Sequence, residues 1–203
     1  MNVALLVLAA YLLGSISFGI VVSRAFGLPD PRTHGSGNPG ATNVLRSGKK
    51  LAALLTLLGD AAKGWLAVWL AQRSGLADVW MYAIAVAVFV GHLCPVYYGF
   101  KGGKGVATAA GVLLALSPWL GLSVLATWLL AFAMWRISSL SALIAAGFAP
   151  LYAAAFFGLG AQAAVVLLLA VMLIWRHKSN IQKLLSGEEA GFGKPKPGHQ
   201  PPQ

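Results

Sequence analysis

The segment GVATAAGVLLALSPWLGLSVLATWLLAFAMW, residues 105–135, decides how many times this chain crosses an apolar medium. Unbroken, it would be one long crossing. Broken at Ser117-Pro118 it becomes a hairpin of two apolar helices, Gly105–Leu116 and Trp119–Trp135, since a proline inside a helix removes a backbone donor. Flanking charge chooses between the two. Lys101 and Lys104 precede the segment and Arg136 follows it, and basic residues favour the cytoplasmic side of a membrane. The hairpin keeps all three on one side, and a single crossing would split them.

Outward from there, apolar runs dominate. They are Val3–Val22, Leu51–Ala71, Val79–Tyr97, the two arms of the hairpin, Leu140–Phe157 and Ala161–Trp175. Apolar residues make up 58% of the 203, and charged residues 10%. About 45–50% and 25% are usual in soluble domains, so a soluble fold is excluded. At about 20 residues per span the runs imply seven crossings and leave no room for a separate soluble domain. The first run has no basic residue before it and is expected to be an uncleaved span.

With seven spans, thirteen of the fifteen basic residues share a side: Arg24, Arg32, Arg46, Lys49 and Lys50, then Lys101, Lys104 and Arg136, then Arg176, Lys178, Lys183, Lys194 and Lys196. Lys63, inside a span, and Arg73 are the exceptions. The expectation is an all-α polytopic membrane protein of seven transmembrane helices, N-terminus out and C-terminus in. Residues 1–187 would form the membrane domain, and 188–203 a disordered cytoplasmic tail rich in Gly and Pro. The formal charge of +10 is expected to meet anionic head groups or an anionic substrate. It is not expected to meet nucleic acid, because no basic helix or aromatic platform accompanies it. A single cysteine, Cys94, rules out a disulfide framework and a cysteine-rich metal site.

Three polar segments on the predicted cytoplasmic face exceed what loops between spans require. In His34-Gly-Ser-Gly-Asn-Pro-Gly-Ala-Thr-Asn43, followed by Arg46, the glycines spell GxGxxG. A dinucleotide site would need a preceding strand, which is lacking. Glycine-flanked amides with Ser36, Asn38, Thr42 and Asn43 still make an anion-binding loop, helped by any helix starting near Ala41. In Gly91-His-Leu-Cys-Pro95 and Phe100-Lys-Gly-Gly-Lys-Gly-Val-Ala-Thr108, the P-loop reading fails, because Lys104 is followed by glycine. Lys104 among Gly102, Gly103 and Gly105 can nevertheless offer an ammonium and bare amides to a phosphate. In Arg176-His-Lys-Ser-Asn-Ile-Gln-Lys-Leu184, a continuing helix would put His177 and Asn180 on one face. His92 reads as a hydrogen-bonded structural residue, and Asp60 with Lys63, three apart in a span, as a self-neutralising pair. Ser138, Ser139 and Ser141 stand where the sixth span begins, able to cap it or to reach a ligand.

These segments, in order and spacing, resemble the three signatures of the bacterial integral-membrane glycerol-3-phosphate acyltransferases that use acyl phosphate. The likeness runs from the N-terminus to about Glu188; Lys183 stands where the family usually has arginine. It implies the reaction acyl phosphate + sn-glycerol 3-phosphate → 1-acyl-glycerol 3-phosphate + phosphate, the first acylation of phospholipid synthesis. It implies a multi-pass protein of the bacterial inner membrane with its site facing the cytoplasm, the lipid bilayer as its medium, and the enzyme that supplies acyl phosphate as a partner. No cofactor and no metal are expected.

Two phosphate-bearing substrates require clustered donors and cations. No cysteine beside a histidine on the cytoplasmic face serves a thioester intermediate. The motif H-x-x-x-x-D is lacking, and Asp30, the one acid in these loops, lies outside the motifs. Two proton acceptors remain, His177 or a substrate phosphate oxygen, and substrate assistance is favoured, with His177 positioning the nucleophile. Lys104 with the amides of Gly102 to Gly105 is expected to hold one phosphate and the developing charge, and Ser36 with Arg46 the second. His177 and Asn180 orient the glycerol hydroxyl, Asn38 and Asn43 shape the first loop, and Thr42 and Ser141 stand within reach of substrate. The competing class is a transporter or channel for a phosphate-bearing anion. Such proteins place polar groups on broken helices at mid-membrane and show internal repeats, which this chain does not.

Overall fold

The computed structural model describes residues 2–189 and Gly191. Their regular elements are all helical: α1 (Val3–Gly14), α2 (Phe18–Ala25), α3 (Ala41–Leu45), α4 (Lys50–Arg73), α5 (Asp78–Leu93), α6 (Val106–Leu116), α7 (Pro118–Trp135), α8 (Ser138–Phe157), α9 (Ala161–Arg176) and α10 (Lys178–Leu185). Every apolar run of the sequence contains a helix. Four segments are long and apolar enough to cross a membrane: α4, Asp78–Tyr98, α7 and α8. Two bent pairs, α1 with α2 (46°) and α9 with α10 (60°), raise the number to six. At eleven residues α6 is about 16 Å long, half of an apolar core of about 30 Å.

The hairpin that the opening segment predicts is present. Ser117 is extended, its hydroxyl accepts from the Leu120 amide, and Pro118 is the first residue of α7. A Cβ on Gly121 would stand 2.6 Å from the Leu114 Cα. Seven residues of continuous helix would separate these by about 10 Å, so the chain folds back here.

Small residues face inward and large ones outward. Ala52, Ala67, Ala85, Ala109, Ala145 and Ala153 are buried, while Leu57, Leu70, Leu130, Met134, Leu151 and Leu167 are exposed on helix flanks. That inversion of the soluble pattern suits lipid outside and close helix contact inside. Glycine makes the closest contacts: a Cβ on Gly14 of α1 would lie 2.1 Å from the Val88 carbonyl oxygen of α5, and one on Gly111 of α6 1.9 Å from that of Ala61 in α4.

Two breaks differ from the sequence expectation. The first run is not one helix, since α1 ends at Gly14 and α2 begins at Phe18. The carbonyls freed there, of Gly14 and Ile16, accept from Lys63 Nζ of α4 at 2.9 and 2.6 Å. The last run does not continue past Arg176: the axis turns at His177. The expected tail begins inside the described residues, with Glu188 and Glu189; residue 190 and residues 192–203 lie outside them.

Candidate active site

The loops at one end of the bundle converge through a chain of hydrogen bonds. In the first loop Asn43 is buried. Its Oδ1 accepts from the Ser36 amide at 3.0 Å, and its Nδ2 donates to the carbonyls of Pro31 (2.7 Å) and His34 (3.1 Å). Gly35 sits at φ +61, and a Cβ there would meet Asn43 Oδ1 at 2.2 Å, so this turn requires glycine. Asn43 therefore shapes the loop, as expected, and all its hydrogen bonds are internal. Asn38 is half-buried over Gly40. Helix α3 does start at Ala41 but is only five residues long. Thr42 Oγ1 lies 3.2 Å from Ser138 Oγ at the start of α8. Asp30 is taken by Arg32, at 2.7 Å, and Arg32 lies over the Tyr98 ring.

In the second loop the Gly103 amide donates to the His92 carbonyl at 3.1 Å. This corrects the expected cradle, because that amide is already committed. Arg176, at the end of α9, donates through Nε to the Gly103 carbonyl (3.1 Å) and through its terminal nitrogen to that of Gly102 (2.9 Å). With the carbonyls held, the loop leads into Gly105, at φ +88, where α6 begins. The role of Arg176 was not visible in the sequence, where it reads as an ordinary juxtamembrane charge.

Lys104 projects from this loop, half-buried, and donates to Asn180 Oδ1 of α10 at 2.5 Å. Asn180 Nδ2 donates to Glu189 Oε1 at 2.6 Å, and Ser139 Oγ donates to the same oxygen at 2.5 Å. The second loop, α10, the following segment and the start of α8 are thus joined; Ser138 carries the connection to the first loop. Arg46 is exposed, its Cδ 3.5 Å from where a Gly35 Cβ would be, and its charge acts on Lys104. Ser36 is exposed at the same turn. Ser141 does not cap α8 and is fully buried, its hydroxyl donating to the Ile137 carbonyl. Glu189 was missed as a site residue, and Ser139, read as a cap or a ligand contact, donates to it. The signal for Glu189 was Gly187 just past α10, a helix stop that turns the chain back.

Burial pushes the Lys104 ammonium down to about 8; Glu189 pulls the other way, and Lys183, Arg46 and Arg176 add to the lowering. His177 is 2% exposed, and burial holds it down at about 4 against a raising hydrogen bond to Leu173. Its Nδ1 lies 2.8 Å from the Leu173 carbonyl, which can only accept, so Nδ1 carries the hydrogen and Nε2 is the acceptor. The axis turns at His177, which caps α10: the Asn180 and Ile181 amides donate to its carbonyl at 2.8 and 2.9 Å, so His177 and Asn180 stand one turn apart at the start of that helix. Among the described residues no three His, Cys, Asp or Glu side chains are grouped to hold a metal.

Fold and site together define a helical membrane protein whose glycine-rich loops gather Lys104, Asn180 and Glu189 at one end of the bundle, with Arg46, Arg176 and Lys183 acting on the Lys104 charge. The family model described as glycerol-3-phosphate acyltransferase matches residues 4–187, and the chain belongs to that family. A Methylobacillus flagellatus protein named glycerol-3-phosphate acyltransferase is 67% identical, over 96% of this chain and 99% of its own. One so named from Ralstonia nicotianae is 61% identical, over 93% of each. Two crystal structures of the integral-membrane glycerol 3-phosphate acyltransferase PlsY (YgiH) share the fold. The glycerol 3-phosphate form has a TM-score of 0.89 at 39% identity, and the lysophosphatidic acid form 0.87 at 38%; each covers 95% of this chain and 96% of its own.

Proposed function

We propose that this chain transfers an acyl group from acyl phosphate to sn-glycerol 3-phosphate, giving lysophosphatidic acid and phosphate, the first acylation of phospholipid synthesis. The observation that carries the reading is the bond that joins Lys104 of the second segment to Asn180 of the third, with the first segment held beside them through Thr42 and Ser138, in a chain of the acyltransferase family. The PlsY structures hold the substrate and the product of such a transfer. Acyl phosphate as donor is supported by the charge gathered around Lys104, where Arg46, Arg176 and Lys183 favour an anionic reactant.

In the mechanism, a glycerol hydroxyl oxygen attacks the acyl carbonyl carbon. A new C–O ester bond forms, the bond from that carbon to the phosphate oxygen breaks, and phosphate leaves with the electron pair. Lys104 and the open amides of its loop face the developing negative charge. Arg46 and Ser36 hold the second phosphate. His177 accepts a hydrogen bond from the attacking hydroxyl through Nε2, and Asn180 fixes the same group. The proton goes to a phosphate oxygen of the substrate. A phosphate monoester with its second pKa near about 6 is a stronger base than an imidazole held near 4. Alignment of the two reactants is worth about 7–11 kcal/mol in favourable cases, enough to carry much of such a reaction. No step calls for a metal, and activity is expected to withstand chelators.

The charge distribution supports seven crossings, with α6 as the short one, the N-terminus out and the C-terminus in. The site then faces the cytoplasm of a bacterial inner membrane, where glycerol 3-phosphate arrives, and the acyl chain lies between helices. Cysteines introduced at Ser47 and Ala77 should be labelled from opposite sides; labelling of both from one side overturns that topology. The activity is tested with purified protein in nanodiscs, given acyl phosphate and glycerol 3-phosphate, by phosphate release. Equal turnover with acyl-CoA as sole donor, or EDTA inhibition reversed by metal, overturns the donor or the metal-free step.

A further inference from the structure

Glu189 lies just beyond the residues that the family model matches. Helix α10 ends in a Schellman turn: Gly187 is at φ +73 and donates to the Leu184 carbonyl, and the Glu188 amide donates to that of Lys183 at 2.8 Å. That turn sends the chain back along α10, so Glu189 meets Asn180 nine positions earlier. One carboxylate oxygen receives both Asn180 Nδ2 and Ser139 Oγ.

An asparagine amide has a donor end and an acceptor end. With Nδ2 held by Glu189, the acceptor Oδ1 is the end left for Lys104 Nζ. Turned over, Asn180 would present a donor to an ammonium, which only donates. Around Lys104 stand Arg46 from the first loop, Arg176 from α9, Lys183 from α10 and the neutral His177; Glu189 is the negative charge set against them. We propose that Glu189 is a positioning residue for the acyl transfer: it fixes the Asn180 amide, ties α10 to α8, and so delivers Lys104 to the reacting phosphate as an oriented ammonium. Its carboxylate acts through Asn180 and Lys104 and need not touch substrate.

The test uses the full chain in nanodiscs, as wild type, Glu189→Gln and Glu189→Ala. Glu189→Gln keeps the shape and an acceptor while removing the charge, so it guards against a variant that merely misfolds. The first measurement is the rate of acetylation of Lys104 by acetic anhydride against pH, read by mass spectrometry without substrate. Loss of a nearby opposite charge should move its midpoint down by about one pH unit in Glu189→Gln. An unchanged midpoint overturns the proposal. The second is steady-state turnover with glycerol 3-phosphate. For Glu189→Ala kcat should fall about tenfold, the size of one lost hydrogen bond to a charged group, and the alkaline limb of kcat/KM in Glu189→Gln should move with the labelling midpoint. A preserved kcat with a several-fold lower KM would make Glu189 a competitor of the substrate anion, and overturns positioning. The kinetic arm rests on the acyl-transfer reading. The labelling arm does not, so an enzyme inactive with these substrates would sink that reading while the lysine midpoint still decides this one.

Discussion

Two lysines of this chain sit in opposite circumstances, though each is surrounded by hydrogen-bonding groups. Lys63, in the middle of α4, is 2% exposed, and its ammonium meets Gly14 O, Ile16 O, His92 Nδ1 and Asp60 Oδ1, all within 2.9 Å. Lys104, at the end of the bundle, is half-buried and among the described residues donates to one acceptor, Asn180 Oδ1. An ammonium has three donors. Where the fold saturates them, the charge is a bolt: Lys63 clamps the α1–α2 break to α4 and α5. Where the described residues leave donors over, as at Lys104, the charge can serve the ligand role proposed above. Charge inside a membrane domain is thus no guide to function until its acceptors are counted.

The two regions touch at one point. A Cβ on Gly103 would lie 2.2 Å from His92 Nε2, while the other ring nitrogen of His92 is held by Lys63. The buried cluster therefore backs the loop that carries Lys104, and the contrast can be attacked from either side.

The largest effect is expected at the bolt. Lys63→Met takes the ammonium from the buried Asp60 carboxylate and leaves the His92 ring beside it at 3.5 Å, and breaking a buried pair costs about 3–5 kcal/mol. Thermal melting in detergent should show a large loss of stability and little folded protein. A variant as stable as wild type would mean that Lys63 is not a bolt. Lys104→Ala should do the reverse: turnover down by about 10²–10³, with insertion and melting temperature kept. Lys101→Ala, exposed three residues away, should be much milder. Near-wild-type rates for Lys104→Ala would break the site assignment.

Gly103→Ala probes the junction. The ring that the new methyl meets is buried and bound, so it cannot swing aside, and overpacking of this kind costs about 1–3 kcal/mol. Both melting temperature and rate should fall, unlike either lysine variant. The smallest effect is that of pH. A lysine held near 8 gives up its proton above that value, so kcat/KM for glycerol 3-phosphate should decline as pH rises through about 8. His177, held near 4, is neutral on both sides of pH 6.5 and should add no inflection between pH 5 and 8. A rate that climbs steadily to pH 10 would show that Lys104 need not be charged.

Much of this was legible in the primary structure. The apolar runs are helices, the Ser117-Pro118 hairpin follows from proline chemistry, and the Asp60–Lys63 pair follows from helical spacing. Local chemistry suffices for such features because residues three apart on a helix are neighbours in any fold. The three polar segments were likewise visible, since an apolar chain has no other use for so much glycine and so many donors.

What only the tertiary structure decided depends on partners distant in sequence. Residues Val3–Val22 contain no proline; Gly14-Ser15 only weakens the helix locally, and it is Lys63, forty-nine residues from Gly14, that takes up the carbonyls the break releases. The sequence puts His177 and Asn180 one turn apart, but that the axis turns at His177 and that both side chains are buried was decided by packing. Gly103 looked like an open amide until His92 claimed it, and Arg176 like a topology signal until it gripped two loop carbonyls. Glu189 looked like the start of a tail. A hydrogen bond needs its two ends within about 3 Å, and no spacing rule brings residue 189 to residues 139 and 180. Composition, periodicity and turn chemistry determined a helical membrane protein with glycine-rich polar loops; the packing of helices determined which of their donors are already taken.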